Sequence, residues 1–171
     1  MIKRLYALVA LCCLSIGVAS AQKAVLVDME YILSNIPAYS TMNEQLEAQS
    51  KKWQSEVSKL ESEASTLYKK FQAEAPKLSM EQRRTSEDLI IAKEKEAYEL
   101  KRKYFGPEGE LVKKRESLMK PIQTQVWNTL KELALAHGLH IIIDKSSGKI
   151  VYADPNADIS ALVLEKMGYR K

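Results

Sequence analysis

With 26 Lys and Arg against 22 Asp and Glu over 171 residues, the chain carries a formal net charge of +4. That is too small and too interspersed for a nucleic-acid footprint. Six glycines and five prolines argue against long disordered tracts.

The first segment reads as an export signal. Lys3 and Arg4 give a basic start, Leu5 to Val18 form an apolar run, and Ala19-Ser20-Ala21 supplies a small-x-small cleavage pattern. Cleavage is expected after Ala21, which makes the product an exported one. The apolar run is short for a membrane span, which needs about 20 residues. Leu11 and Cys12 are too large for the small position expected before a lipidated cysteine. Both cysteines, Cys12 and Cys13, lie inside this signal. Residues 22–171 therefore form no disulfide and no thiolate metal site. Without Lys3 and Arg4 they hold 24 basic and 22 acidic side chains, a net +2.

Residues 24–29 (AVLVDM) are rich in β-branched and apolar side chains and predict a buried strand. Pro37 suits the first turn of a helix, and no glycine or proline follows before Pro76. Tyr39, Leu46, Trp53, Leu60 and Leu67 share one heptad position, and Ile36, Val57, Ala64 and Phe71 share the other, the pattern of a coiled-coil seam. Asn43 and Ser50 weaken the second row near its base. A helix over 37–75 would be about 58 Å long and must project from any small body. Ser79-Met80-Glu81-Gln82 matches a capping box, so a second helix runs back beside the first. Its seam is Ile90, Ala97 and Tyr104, with Ile91, Tyr98 and Phe105 alongside. Gly106-Pro107-Glu108-Gly109 interrupts it as a break or hinge.

A third helical pattern runs from Leu111 to His137, with Pro121 expected to bend it and Gly138 to stop it. Residues 139–144 predict a second strand, 146–148 a turn, and 149–153 its hairpin partner. Asp158 is expected to cap a closing helix over 159–167. The fold class is thus α+β and mostly α, a small β-body with a long α-hairpin inserted. Residues 22–36 and 116–171 form the body, and 37–115 form the arm with its tip near 75–79. Three short strands make a poor core for about 80 residues, so the chain is read as an obligate oligomer. Its core would be Val25, Val27, Ile141, Ile143, Ile150 and Tyr152.

Little in the chain suggests catalysis. His137 and His140 lack a carboxylate at ligand spacing. Ser146-Ser147-Gly148-Lys149 lacks the companion motifs of an acyl-transfer serine. Gly106 to Glu110 lacks the Lys-Ser/Thr ending of a phosphate loop. Neither cofactor nor metal is expected. Residues 37–105 carry 13 basic and 12 acidic side chains, the balance of a solvated coiled-coil face. Phe71, Leu78 and Met80 near the tip are candidate contacts for non-native chains.

In order along the chain, residues 27–33 (VDMEYIL) with Pro37, 105–111 (FGPEGEL), 120–123 (KPIQ), 144–148 (DKSSG), 152–155 (YADP) and 158–160 (DIS) resemble the Skp/OmpH-type periplasmic chaperones. The resemblance spans essentially all of residues 22–171. It implies a homotrimer whose strands form a common β-body from which three hairpin arms hang, jellyfish-like. The arms would enclose unfolded outer-membrane proteins without ATP, with the seam Trp53, Val57, Leu60, Ala64, Leu67 and Phe71 holding each arm together. Gly106, Pro107 and Pro121 would be its hinge. The partners implied are unfolded outer-membrane β-barrel proteins, other copies of the chain and a membrane surface. The competing expectation is a structural coiled-coil envelope protein tethering one folded partner. An enzyme subunit built on the 139–153 hairpin is a third.

Overall fold

The computed structural model describes residues 23–169; the expected signal and its cleavage point lie outside the described residues. Strand β1 spans Ala24–Val27. It ends two residues earlier than its apolar run because the Asp28 carboxylate accepts the Tyr31 N–H and caps a short helix, α1 (Met29–Ser34). Pro37 occupies the first turn of α2 (Pro37–Glu74, 38 residues), about 57 Å long. Pro76 sits in a single 3₁₀ turn at the tip. Ser79 then closes the expected capping box: its hydroxyl accepts the Gln82 N–H and its own N–H donates to the Gln82 side chain. Helix α3 (Met80–Phe105) returns along α2. After the Gly106–Gly109 break, α4 (Glu110–His137) runs to Gly138, whose φ of +61° is the left-handed stop that glycine makes inexpensive. Pro121 lies inside α4 without ending it.

Strand β2 (Ile141–Asp144) pairs with β1 in parallel, Ala24 beside Ile141 and Val27 beside Asp144. The whole helical excursion is thus one crossover between neighbouring strands. A 3₁₀ turn (Pro155–Ala157) and helix α5 (Ser160–Lys166) close the body. Among the described residues the sheet has two strands.

Residues 149–153, expected as a third strand, are irregular, and Val151 and Tyr152 are exposed. The cause is the preceding turn. Asp144 Oδ1 accepts the N–H and the hydroxyl of Ser146, and the Ser147 hydroxyl donates to the Asp144 carbonyl. These bonds coil the chain tightly after Asp144, so it is not set up to run back beside β2.

The body core gathers Val27, Ile32, Ile36, Met42, Leu46, Ile122, Val126, Leu133, Val163 and Leu164. Helix α3 is shorter than α2, so the base of α2 packs on α4 instead. The buried row there shifts to Met42 and Leu46, which explains why Asn43 and Ser50 sit on the weak part of the heptad pattern. Higher up, the buried residues of the paired helices are Val57 and Ala64 on α2 and Ile90 and Ala97 on α3.

Candidate interaction surfaces

Parallel pairing places side-by-side residues on the same face of a sheet. Val25, Val27, Ile142 and Asp144 therefore share one face, and Ala24, Leu26, Ile141 and Ile143 the other. Val27 is buried in the chain's own core, so it cannot reach a neighbouring copy. Ile141 and Ile143 are 44% and 43% exposed. The outer edge of β1 is covered, since Ile159 N–H donates to the Leu26 carbonyl and Asp28 N–H to the Ser160 hydroxyl. On the other side of the sheet, β2 has no further strand among the described residues. An uncovered edge flanked by exposed isoleucines is a template for pairing with another chain. Ile150, Val151 and Tyr152 are also exposed. A groove of about 580 Å³ between the sheet and α4 is lined by Val27, Val126, Trp127, Leu130 and Ile142.

Trp127, 68% exposed, and Leu135 are interaction candidates that the sequence reading passed over. Their signal was legible: both are large apolar residues off the Ile122–Val126–Leu133 stripe of α4.

The strand ends are locked by two carboxylates. Asp144 receives, besides Ser146, the Met29 N–H at 3.2 Å. Asp158 Oδ1 accepts the N–H and hydroxyl of Ser160, and its Oδ2 takes Lys145 Nζ at 2.7 Å. The same Nζ lies 3.5 Å from Asp28. Burial pushes the Asp144 carboxyl up, but the Ser146 and Met29 donors outweigh it and hold it below its ordinary value. Burial likewise raises Asp158, and Lys145 with Ser160 brings it below the usual value. The Asp158 carboxylate, ahead of all other causes, raises Lys145.

Groups with depressed folded pKa stabilise the fold above their unfolded pKa and lose that contribution as pH falls through the folded one. The urea midpoint is expected to hold from pH 7 to 5 and to fall below about pH 4, measured by circular dichroism. A midpoint unchanged down to pH 2 would contradict these carboxylate bonds.

The arm presents a different surface. Val57 and Ala64 are buried, and Trp53, Leu60, Leu67 and Phe71 are half-buried, as a two-helix seam leaves them. Trp53 stacks on Tyr104 with ring centroids 4.7 Å apart. The Tyr104 hydroxyl donates to Glu56 at 2.6 Å, and that bond raises its pKa. At the tip Leu78 is half-buried and Met80 is 89% exposed. Ile91 and Tyr98, expected beside the seam, point to solvent. The Gly106–Gly109 break is tightly packed. A Cβ on Gly106 would stand 2.4 Å from the Arg102 carbonyl oxygen, and one on Gly109 2.7 Å from that of Tyr104.

No described helix is long and apolar enough to cross a membrane. No group of His, Cys, Asp and Glu that could hold a metal occurs among the described residues.

The sequence profile of the family described as outer membrane protein (OmpH-like) matches residues 23–167. The chaperone protein Skp of Yersinia enterocolitica is 26% identical over 164 residues, which cover 92% of this chain and 97% of that protein. The crystal structure of an OmpH-like protein from Caulobacter crescentus CB15 superimposes with a TM-score of 0.69. It covers 89% of this chain and 87% of that one at 10% identity, a likeness of fold.

Proposed function

Because this chain belongs to the outer membrane protein (OmpH-like) family, we propose that it is an ATP-independent periplasmic holdase, exported and cleaved after Ala21. It binds unfolded outer-membrane β-barrel proteins between its helical arms and keeps them from aggregating. The observation that carries this reading is the arm itself. A two-helix projection of about 57 Å, built on the 38-residue α2, stands on a body with an uncovered β2 edge and exposed Ile141, Ile143 and Tyr152.

The physical logic follows from that shape. One narrow arm encloses nothing, but several arms on a shared body surround a space. Association through the isoleucine face and the 149–153 segment would supply the shared body, in the homotrimer that the family resemblance implies. An unfolded β-barrel protein exposes alternating apolar residues and unpaired strand backbone. Many weak contacts from exposed arm residues such as Ile91, Tyr98 and Met80 add up through multivalency while leaving the client mobile. The dense and nearly balanced charge of residues 37–105 (13 basic, 12 acidic) keeps the outer faces of the arms hydrated between clients. It also gives contact with a membrane surface a minor part. The work is binding, and no step of it calls for a catalytic group.

Native mass spectrometry of residues 22–171, alone and after dilution of a urea-unfolded outer-membrane β-barrel protein into the sample, tests the proposal. The expected result is a trimer that gains one client per assembly and keeps it soluble. A monomer or dimer that ignores the client would instead favour a structural coiled coil with one folded partner.

A further inference from the structure

We propose that the cleft between α2 and α3 at the Ala64–Ala97 layer is a seat for an arginine side chain of a bound polypeptide. The inference rests on the reading of the protein as a holder of unfolded chains. It adds which side-chain chemistry one face of the arm accepts.

The cleft has a volume of about 450 Å³, and Ala64 and Ala97 line it while being only 4% and 5% exposed. They are its floor, and a single methyl from each helix leaves room that Leu or Ile would fill. Its rims are positions 61, 65 and 68 on α2 and 94, 98 and 101 on α3. Both rows are spaced by four and then three residues, as one edge of a helix requires. Lys101 Nζ lies 3.6 Å from Glu61 and sets the register of these antiparallel rows. Seven residues further toward the tip on each helix, Tyr68 comes beside Glu94, about 10 Å from that ion pair. Tyr98 stands one turn from Glu94 on the same helix. The two tyrosines are 49% and 65% exposed.

The charge is unevenly shared along the cleft. Lys101 is already matched by Glu61. Glu94 is exposed and forms no ion pair among the described residues. Two carboxylates against one ammonium give the lining a net charge of −1, and the unmatched charge sits beside two tyrosines. Aromatic faces and a carboxylate both favour a cation. An anion would meet Glu94, and an apolar side chain would strip water from it with nothing in exchange. Arginine suits the place better than lysine. Its planar guanidinium stacks on a ring while donating two parallel bonds to a carboxylate, and it is less strongly hydrated. Its methylene stem would lie along the alanine floor.

The cleft on the other side of the hairpin has the opposite character. Lys59, Glu63, Leu67, Leu89 and Lys93 line it without any aromatic side chain, and two ammonium groups against one carboxylate make it net +1. Lys93 pairs with Glu63 at 3.2 Å, which leaves Lys59 as the unmatched charge. The two faces of one arm are thus chemically unlike, and only the tyrosine face is built for a cation.

Methyl NMR of residues 22–171, labelled at alanine and leucine, tests the seat with Nα-acetylarginine amide as the probe. The Ala64 and Ala97 methyls are expected to shift on titration, while those of Leu67 and Leu89 stay in place. Nα-acetylcitrulline amide has nearly the same shape without the charge, and is expected to bind about tenfold more weakly. Glu94→Gln and Tyr98→Leu are each expected to weaken arginine binding about threefold, and Lys59→Gln not at all. An unfolded β-barrel protein diluted from urea is expected to move the same two alanine methyls. It should leave the double variant Glu94→Gln/Tyr98→Leu about threefold faster than the parent. Equal binding of the citrulline probe, shifts spread over both clefts, or a held client that leaves Ala64 and Ala97 unmoved would overturn the seat and leave the holding function standing. Shifts with phosphatidylethanolamine vesicles and none with the client would overturn a polypeptide as the occupant. Arginine uptake by a protein that keeps no client soluble would support the chemistry of the seat and overturn the holdase reading.

Discussion

Replacing Ile141 and Ile143 together by aspartate is expected to abolish self-association and, with it, the holding of unfolded β-barrel proteins. Both side chains sit on the sheet face turned away from Val27 and Ile142, and nearly half of each is exposed. Their loss removes little from the chain's own core, whereas a carboxylate on a face dried by a partner pays several kcal/mol of desolvation without a counter-charge. At about 3 kcal/mol per site, each substitution weakens association about a hundredfold. Sedimentation of the double variant at micromolar concentration is the measurement, with circular dichroism at 222 nm beside it. Particles of single-chain mass that keep the helical signal place the interface on this face. Retained assembly with retained holding would move it elsewhere, and the Trp127 groove is the next surface to change.

How far the sequence led can be judged from particular residues. Where one local cause decides an element, reading and structure agree. Ser79 with Gln82 starts α3, Gly138 stops α4, Pro37 opens α2, and the glycines at 106 and 109 bracket the break. Elements that depend on a choice between competitors were harder to read. Asp28 lies inside an apolar run, yet its carboxylate captures the Tyr31 N–H and turns the end of a strand into the start of α1. Met42 belongs to neither heptad row, because the base of α2 packs on α4 and not on α3. Residues 150–152 (IVY) have the composition of a strand, but a strand needs an edge to pair with. The Asp144–Ser146 turn does not set them beside β2 in their own chain. Composition could name the exposed surfaces only in part. Trp127, Tyr98 and Ile91 stand out once their helices have partners that fix which side faces water.

Asp158 ties the start of α5 to the end of β1, and Asp158→Ala is expected to cost about 3 kcal/mol of stability. Asp158 holds three donors at once: the N–H and hydroxyl of Ser160 at 2.9 and 2.6 Å, and Lys145 Nζ at 2.7 Å. Ser160 is 3% exposed, and its hydroxyl oxygen in turn accepts the Asp28 N–H. Removing the carboxylate therefore orphans buried donors at the start of α5 and loosens that helix from the end of β1. Asp158→Asn keeps an oxygen for Ser160 but loses the charge, and is expected to cost roughly half as much. Lys145→Ala should cost less, about 1 kcal/mol, because that side chain is 38% exposed and its pairs are partly screened. Urea unfolding of the three variants at pH 7 gives the ordering, and repeating it at pH 3 adds a second criterion. Asp158→Ala should lose less stability on acidification than the parent, since it has already lost one of the carboxylates whose depressed pKa supports the body. Equal costs for Asp158→Ala and Lys145→Ala would mean that the ion pair, and not the hold on Ser160, closes the body.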